Sequence, residues 1–326
     1  MKREPILPPA PAELPQAEVI DTVSLLDNYL AGNIDLVCVL GPTASGKTHY
    51  AVALAREFNT LLEGRGMSAR TEIISADSRQ VYRGMTIGTG KDLSEYEEVP
   101  YHLIDIVDAG EKYDIYCYQR DFETAYRDIR ERGNIPLLCG GSGLYIEAAT
   151  CGYNLPDVPP DPALRAQLET HSDEELIARL ASLKPLHNST DYDTRKRLIR
   201  ALEIAIYEAG HPVNRSSYLP KNTYYIGTLV DRETRNARID RRLDARLEEG
   251  MVDEIRALLD SGIPADDLIY YGLEYKFITR HVLGELTHDQ MRTQLATAIH
   301  QFAKRQMTWF RGMERRGTVI HWTQVQ

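Results

Sequence analysis

One octapeptide of this chain combines residue types and spacing that point directly to chemistry. Gly41-Pro42-Thr43-Ala44-Ser45-Gly46-Lys47-Thr48 matches the pattern G-x-x-x-x-G-K-[ST] of phosphate-binding loops. In such a loop the backbone amides point at the phosphates, the lysine supplies positive charge to the outer phosphate, and the last hydroxyl is a ligand of Mg²⁺. The sequence therefore predicts phosphate binding here, with Mg²⁺ at Thr48. The loop alone suits a nucleotide kinase, an ATPase or a diphosphate-using transferase.

An acidic residue and a glycine-rich turn follow two other apolar runs. Asp77 comes directly after the run at residues 72–76, and Gly140-Gly141-Ser142-Gly143 begins at the end of the run at residues 135–139. At the end of a buried strand, Asp77 suits a general base or a Mg²⁺ ligand, and equally a turn cap. The glycines suit close approach by a ligand or a tight strand-to-helix turn. The residues alone leave both interpretations open.

Short apolar runs that alternate with helical patterns would position these residues. The runs lie at Leu36–Leu40 and at residues 72–76, 103–106, 135–139 and 224–230, with helical patterns such as residues 119–132 between them. Alternating strands and helices are typical of an α/β fold with a mostly parallel sheet, here P-loop NTPase-like, whose binding crevice lies at the carboxyl ends of the strands.

The pattern also predicts how the chain is divided. Residues 1–33 are interpreted as a loose N-terminal extension, residues 34–150 as the first part of the core, and residues 193–326 as its second, mainly helical part. Between them, residues 151–192 open with prolines and continue as two short helices. Asp161 followed by Pro162 suits the start of the first, and Ser172 with Glu175 forms a capping box for the second. A small helical insertion is the interpretation.

Composition narrows the class of protein. The 326 residues are 43% hydrophobic and 26% charged, as in soluble proteins. No apolar run approaches the roughly 18 to 20 residues that cross a bilayer, and the N-terminus has acidic residues and prolines where a signal peptide is apolar. We therefore expect a cytoplasmic protein without a membrane partner. The cysteines form no C-x-x-C pair and the histidines no H-E-x-x-H motif, which gives a transition-metal site little support.

Charge alone does not favour a nucleic-acid partner. The formal net charge is -10, and binding to a polyanion depends on Lys and Arg that neutralise phosphates. Three segments are nevertheless locally basic, at residues 195–200, 232–246 and 304–316. Each is by itself more typical of a solvated helix face, so the case for RNA depends on other features.

Six ordered motifs resemble a known family. GPTASGKT, ISADSRQVYRGMTIGTGK, HLIDI, GGSGLYI, RLIRALEI and KRQMTWFR occur in that order across residues 36–322, and the chain resembles the tRNA dimethylallyltransferases (tRNA isopentenyltransferases). The resemblance implies transfer of a dimethylallyl group from dimethylallyl diphosphate to the exocyclic N6 amine of the adenine 3′-adjacent to the anticodon in tRNA, with release of diphosphate. It also implies a helical insertion that grips the anticodon stem-loop. We expect a monomer.

The resemblance assigns roles to residues as follows. Asp77 resembles the general base, with Thr43 and Arg242 as further catalytic residues, Arg242 acting on the diphosphate. Gly41 and Thr43, Ala44, Ser45, Gly46, Lys47 and Thr48 would cradle the prenyl diphosphate, with Thr48 on the metal. Asp77, Ser78, Arg79, Gln80, Ser142, Lys196, Arg197, Leu198, Ile199 and Arg200 would contact the tRNA. The chain departs from the family at Ser142 (usually Thr), Gly90 (usually Ala), Tyr101-His102 (usually two His) and Asp193-Thr194 (usually Asn-Asp).

Three other functions remain in competition. A nucleotide phosphotransferase would use the same loop for ATP, but it would need an acidic residue at the end of an apolar strand, and residues 103–106 offer only a short, interrupted candidate. A prenyltransferase acting on free AMP would share the chemistry, and the basic segments favour RNA over it. A purely RNA-binding role would leave Lys47 and Asp77 unexplained.

Overall fold

A computed structural model describes residues 14–152, 158–184, 194–211 and 220–325. Within these ranges, contacts group residues 158–184 and 194–211 into a helical unit, and residues 14–152 and 220–325 into a larger α/β unit. No helix in the described ranges is long and apolar enough to cross a membrane.

The first half of the α/β unit alternates strands with helices. In chain order it contains α1 (Thr22–Leu30), β1 (Leu36–Leu40), α2 (Lys47–Gly64), β2 (Thr71–Ser75), β3 (Tyr82–Arg83), a 3-10 helix (Leu93–Tyr96), β4 (Tyr101–His102), β5 (Val107–Asp108), α3 (Ile115–Glu131), β6 (Ile135–Gly140) and α4 (Gly143–Thr150).

The rest of the chain is mainly helical. The helical unit contains α5 (Pro162–Leu168), α6 (Asp173–Leu183) and α7 (Arg195–Gly210). The α/β unit then resumes with β7 (Thr223–Leu229), α8 (Arg232–Glu249), α9 (Met251–Asp260), α10 (Ala265–Tyr270), α11 (Leu273–Val282), α12 (His288–Arg315) and β8 (Ile320–Gln324).

Six strands form one parallel sheet in the order β4-β2-β6-β1-β7-β8. Every residue of β1, β2 and β6 is buried, as expected for parallel strands covered on both faces. The apolar face of α2, including Phe58 and Leu62, packs with Val37, Ile73 and Leu137 of these strands in one core cluster. The predicted α/β class with a mostly parallel sheet is therefore confirmed. The loops after β1, β2 and β6 all lie at the carboxyl ends of the strands.

The strand predicted at residues 103–106 is wrong. The strand in this region is β4, which ends at His102, and Leu103 and Asp105 have φ angles of +63° and +55°, which no strand accommodates. The buried Lys91 ammonium donates to the Asp105 carboxylate and to the carbonyl oxygen of Tyr82. Asp105 therefore holds a turn together and does not end an apolar strand.

The described part of the predicted N-terminal extension is packed rather than loose. Leu25 and Leu26 of α1 are 4% and 0% exposed and belong to the same core cluster as α2. Glu18 donates its backbone N–H to the carbonyl oxygen of Trp322 at 2.7 Å, which ties the segment to β8. These contacts make residues 18–30 part of the α/β unit.

Local capping signals in the helical unit match the structure. The Asp161 carboxylate accepts the N–H of Leu164 at 2.9 Å with Pro162 in the first turn, and Ser172 with Glu175 forms the reciprocal capping box. Leucines of all three helices, including Leu168, Leu180 and Leu202, form its core. Contacts thus group α7 with α5 and α6, whereas the predicted insertion ends at residue 192. Asp193 lies outside the described residues.

Candidate active site

A cavity of about 700 Å³ lies among the loops that follow β1, β2 and β6. The segment at residues 88–96, residues 269–272 and the helices α8, α11 and α12 contribute the other walls. The structure brings together at this cavity most of the site residues that the sequence predicts in the α/β unit: Thr43, Ala44, Gly46, Lys47, Thr48, Asp77, Ser78, Arg79, Gln80, Ser142 and Arg242.

Two residues of the phosphate loop face the protein instead. Ser45 is fully buried; its hydroxyl donates to the carbonyl oxygen of Pro42 at 2.8 Å and lies 2.7 Å from the Thr228 hydroxyl. At Gly41 a Cβ atom would stand 2.1 Å from the same Thr228 hydroxyl oxygen. The Ser45 side chain, and the absence of a side chain at Gly41, therefore let the loop pack against Thr228 of β7. Neither residue lines the cavity.

Positive charge is concentrated beside this loop. Burial lowers the pKa of the Lys47 ammonium, and the charge of the nearby Asp77 carboxylate opposes part of that effect. Burial also lowers the pKa of the Arg242 guanidinium, with repulsion from Arg246 adding to it. Arg242 donates through Nη2 to the Thr43 hydroxyl at 2.6 Å. Both cations are thus held in poorly solvated positions where an anion would stabilise them.

Asp77 is both a turn cap and a cavity residue. Its Oδ1 accepts the backbone N–H of Arg79 at 2.9 Å, and its own N–H donates to the Ser75 hydroxyl at 3.3 Å. These bonds orient the carboxylate at the end of β2, where it lines the cavity together with Lys47. The turn interpretation and the functional interpretation of this residue are therefore compatible.

The glycine-rich turn after β6 packs closely against its neighbours. A Cβ at Gly140 would stand 2.3 Å from the carbonyl oxygen of Ala76, so the absence of a side chain lets β6 approach the end of β2. Ser142 accepts the N–H of Ser78 at 3.1 Å through its hydroxyl. This turn therefore serves packing at Gly140 and connects the two loops that carry Ser142 and Asp77.

Several known proteins are similar to this chain. The family model described as "IPP transferase" matches residues 80–313. The chain is 57% identical to "tRNA dimethylallyltransferase 2" of Bacteroides fragilis, over 88% of this chain and 92% of that protein. It is 56% identical to "tRNA dimethylallyltransferase 1" of Porphyromonas gingivalis, over 88% and 93%.

Solved structures are similar as well. The tRNA isopentenylpyrophosphate transferase of Bacillus halodurans has a TM-score of 0.62 at 35% identity, with 89% of each chain covered. A eukaryotic dimethylallyltransferase acting on tRNA has a TM-score of 0.66 at 23% identity over 84% of this chain and 69% of that one, which supports the fold.

The chain belongs to the tRNA dimethylallyltransferase (IPP transferase) family.

Within this family member, the segment predicted to touch RNA from the helical unit has mixed exposure. Leu198 and Ile199 are only 1% and 4% exposed and pack in the core of that unit. Arg200 donates to the Glu203 carboxylate and to the carbonyl oxygen of Val158. Because buried side chains do not reach a ligand, the surface of this segment is formed by Lys196 and Arg197.

A carboxylate that sequence reasoning missed organises one wall of the cavity. Glu254 on α9 accepts the backbone N–H groups of Thr86, Ile87 and Gly88 at 2.9, 2.7 and 3.1 Å, and the Tyr275 hydroxyl at 2.6 Å. Its separation from the loop by 166 or more residues leaves no local sequence signal for the contact.

A second contact that sequence reasoning missed lies at Gly90. Gly90 has a φ angle of +69°, and a Cβ there would stand 2.6 Å from Nη1 of Arg246. Arg246 is 8% exposed and pairs with Asp92 at 3.0 Å. The glycine thus makes room for a buried guanidinium.

Proposed function

We propose that this chain transfers a dimethylallyl group from dimethylallyl diphosphate to the exocyclic N6 amine of the adenine 3′-adjacent to the anticodon in tRNA and releases diphosphate. The observation that carries the proposal is one cavity in which a carboxylate, Asp77, faces the same space as Lys47 and the Arg242–Thr43 pair. Prenyl transfer needs a base for the amine and cations for the departing diphosphate, and the names of the relatives describe this reaction.

The residues divide the chemistry between the two reactants. The adenine amine is a weak nucleophile because its lone pair is delocalised, so Asp77 takes its proton as the new C–N bond forms. The allylic C–O bond to diphosphate breaks, and negative charge grows on the leaving group. Lys47, Arg242 and the loop amides stabilise that charge, and each donor lowers the barrier by about 3 kcal/mol by analogy with oxyanion donors.

The donor set at Thr48 fits Mg²⁺. The Thr48 hydroxyl lines the cavity at the end of the phosphate loop, and Mg²⁺ is usually held by few protein ligands together with water and substrate phosphates rather than by a cage of protein ligands. When bound, the ion would neutralise charge on the diphosphate.

The mouth of the cavity suits an extruded base. Tyr270 and Trp309 are 62% and 38% exposed and line it, with the Arg79 guanidinium 6.0 Å from the Tyr270 ring centroid. Unpaired loop bases leave their stack at lower cost than paired ones and stack on aromatic and guanidinium groups. We place the anticodon stem on the helical unit, with Lys196 and Arg197 toward the RNA.

Phosphotransfer from ATP is less well supported. Asp105, the acid in the run at residues 103–106 that was the candidate for this function, is paired with Lys91 and does not line the cavity. A phosphotransferase would need that metal-binding acid beside the phosphate loop.

The test is transfer of radiolabel from dimethylallyl diphosphate, with Mg²⁺ present, to unmodified tRNA in one reaction and to AMP in another. We expect label in tRNA only. Asp77→Asn keeps the acceptor for the Arg79 N–H but loses the base, so kcat falls by about 10² to 10⁴. The control is Asp108→Asn, which should stay active. The Asp108 carboxylate is 67% exposed and bonded to Arg83.

Each other outcome has a defined meaning. Label in AMP at a comparable rate keeps the chemistry and rejects the RNA substrate. Label in neither acceptor rejects prenyl transfer, and full activity of Asp77→Asn rejects Asp77 as the base.

A further inference from the structure

Gln306 on α12 joins two loops of the cavity with a single carboxamide. Its Oε1 accepts the backbone N–H of Thr43 at 2.8 Å, and its Nε2 donates to the carbonyl oxygen of Gly141 at 2.9 Å. Thr43 belongs to the loop after β1 and Gly141 to the turn after β6, which are adjacent strands. The side chain is 8% exposed, so both bonds are largely shielded from water.

The chemistry of the two contacts selects a glutamine. One partner is a backbone donor and the other a backbone acceptor, so the bridging group must accept at one end and donate at the other, as a carboxamide does. Space at Gly141 is matched to it, because a Cβ there would stand 2.6 Å from Nε2 and 3.4 Å from Cε of Lys47. The glycine therefore admits both the amide and the lysine chain.

The bridge continues to the groups that face the diphosphate. Thr43, whose N–H is held by Gln306, accepts the 2.6 Å bond from Arg242. Displacing the backbone of Thr43 would move its hydroxyl and leave Arg242 without its partner. Donors placed for developing charge lose much of their effect when they are displaced by about 1 Å. Loss of the hydrogen bond between Gln306 and Thr43 should therefore lower the rate of transfer.

We propose that Gln306 is a positioning residue of the transfer reaction, which sets the separation of the phosphate loop from the Gly140-Gly141 turn and thereby holds Thr43 and Arg242 toward the leaving diphosphate. This inference rests on the proposed function. Gln306 acts through Thr43 and not on a substrate, so its loss lowers kcat more than it raises KM for tRNA.

Two variants and a matched control test the proposal. Gln306→Met keeps length and removes both hydrogen bonds, and we expect kcat to fall about 10- to 100-fold with KM for tRNA changed less than about threefold. Gln301→Met is the control, because Gln301 is an exposed glutamine on the same helix that does not line the cavity. Thermal melting of each variant identifies any loss of folded protein.

Gln306→Glu gives a further test, because its kcat should depend on pH in a way that a role in packing alone would not produce. The ionised carboxylate accepts from Thr43 but cannot donate to Gly141, whereas the protonated acid can do both. The ratio of its kcat to that of the unmodified enzyme should therefore rise as the pH falls through the pKa of the introduced carboxyl group. Changes in other titrating groups affect both enzymes and cancel in the ratio.

A double-mutant cycle completes the test. If Gln306 acts through Thr43 and Arg242, the losses in Gln306→Met and Arg242→Lys are less than additive. An unchanged kcat in folded Gln306→Met, a ratio for Gln306→Glu that does not change with pH, or strictly additive losses would each overturn the inference. An inactive unmodified enzyme would instead reject the proposed function, which keeps the two failures distinct.

Discussion

The charged side chains at the two ends of the parallel sheet differ in how fully other side chains satisfy them. At the amino ends of β2 and β6, the Glu72 carboxylate accepts hydrogen bonds from Arg132 and Asn134 and lies 2.7 Å from Nε2 of His102. Burial by itself would raise the pKa of Glu72, but these hydrogen bonds, led by Arg132, outweigh it and lower the pKa to about 2.

At the carboxyl ends, the partly buried cations Lys47 and Arg242 are not paired with carboxylates to the same degree. Burial is the largest influence on Lys47 and Arg242 and lowers the pKa of both. Charge at one end of the sheet is therefore stabilised by its partners in the fold, and we infer that charge at the other end is available for an anionic ligand. Active sites commonly carry such a cost in stability.

Removing Lys47 should give the largest effect and the clearest separation of the two roles. We expect Lys47→Met to lower kcat/KM for dimethylallyl diphosphate about 10³-fold, because the charge facing the leaving group is lost. Its melting temperature should be equal or higher, since a poorly solvated cation is replaced by an apolar chain. Steady-state kinetics and thermal melting measure the two quantities.

Lys276→Met is the control, because this exposed lysine also lines the cavity. A lower melting temperature for Lys47→Met would contradict the comparison, since it would place Lys47 among the stabilising charges.

Removing the charge of Glu72 should do the reverse. We expect Glu72→Gln to lower the free energy of unfolding by about 3 kcal/mol, because a pKa lowered from 4.5 to about 2 corresponds to that difference. Activity of the folded variant at neutral pH should be unchanged. The folded pKa is the lower one, so the stabilisation is present above about pH 4.5 and is lost as the pH falls toward the folded value.

Urea unfolding at several pH values measures this effect. The difference in stability between the unmodified protein and Glu72→Gln should shrink as the pH falls from 4.5 to about 2. Glu63→Gln serves for reference, because Glu63 is 61% exposed and bonded to Arg70. A constant difference across this range would show that the Glu72 charge is not the stabilising feature.

The smallest expected effect is at Arg242. Arg242→Lys keeps the charge but loses the planar group that reaches Thr43, so we expect kcat to fall about 10- to 30-fold, equivalent to about 2 kcal/mol, with little change in melting temperature. Arg241→Lys, at the exposed neighbouring position of α8, should behave as the unmodified enzyme. If both variants kept full activity, a positive charge at position 242 would be enough for the reaction and the planar group that reaches Thr43 would not be needed.

Sequence predicted what depends on local pattern. The phosphate loop between a buried strand and a helix, the caps at Asp161 and Ser172, and four of the six strands of the main sheet all have signals within a few residues. Residues 103–106 were wrong for a physical reason: the apolar residues Leu103 and Ile104 are buried in a turn, and apolar runs this short do not separate strand from turn.

Contacts between distant parts of the chain could not be predicted in the same way. Gln306 and Thr43 are separated by 263 residues, and nothing in their neighbourhoods specifies the pairing. Burial of Leu198 and Ile199 likewise follows from the packing of α7 on α6, whereas the sequence showed only a basic stretch. The roles of individual site residues remain predictions for the experiments above.

The carboxylate of Glu254 gives the loop at residues 86–88 an unusual property for an active-site wall. Loops of this kind commonly exchange their amide hydrogens quickly, because water reaches the backbone. Here three consecutive amides donate to one side chain of α9, so they should exchange only when that helix separates from the loop. Their exchange rates would therefore give a spectroscopic measure of how often this wall of the cavity opens.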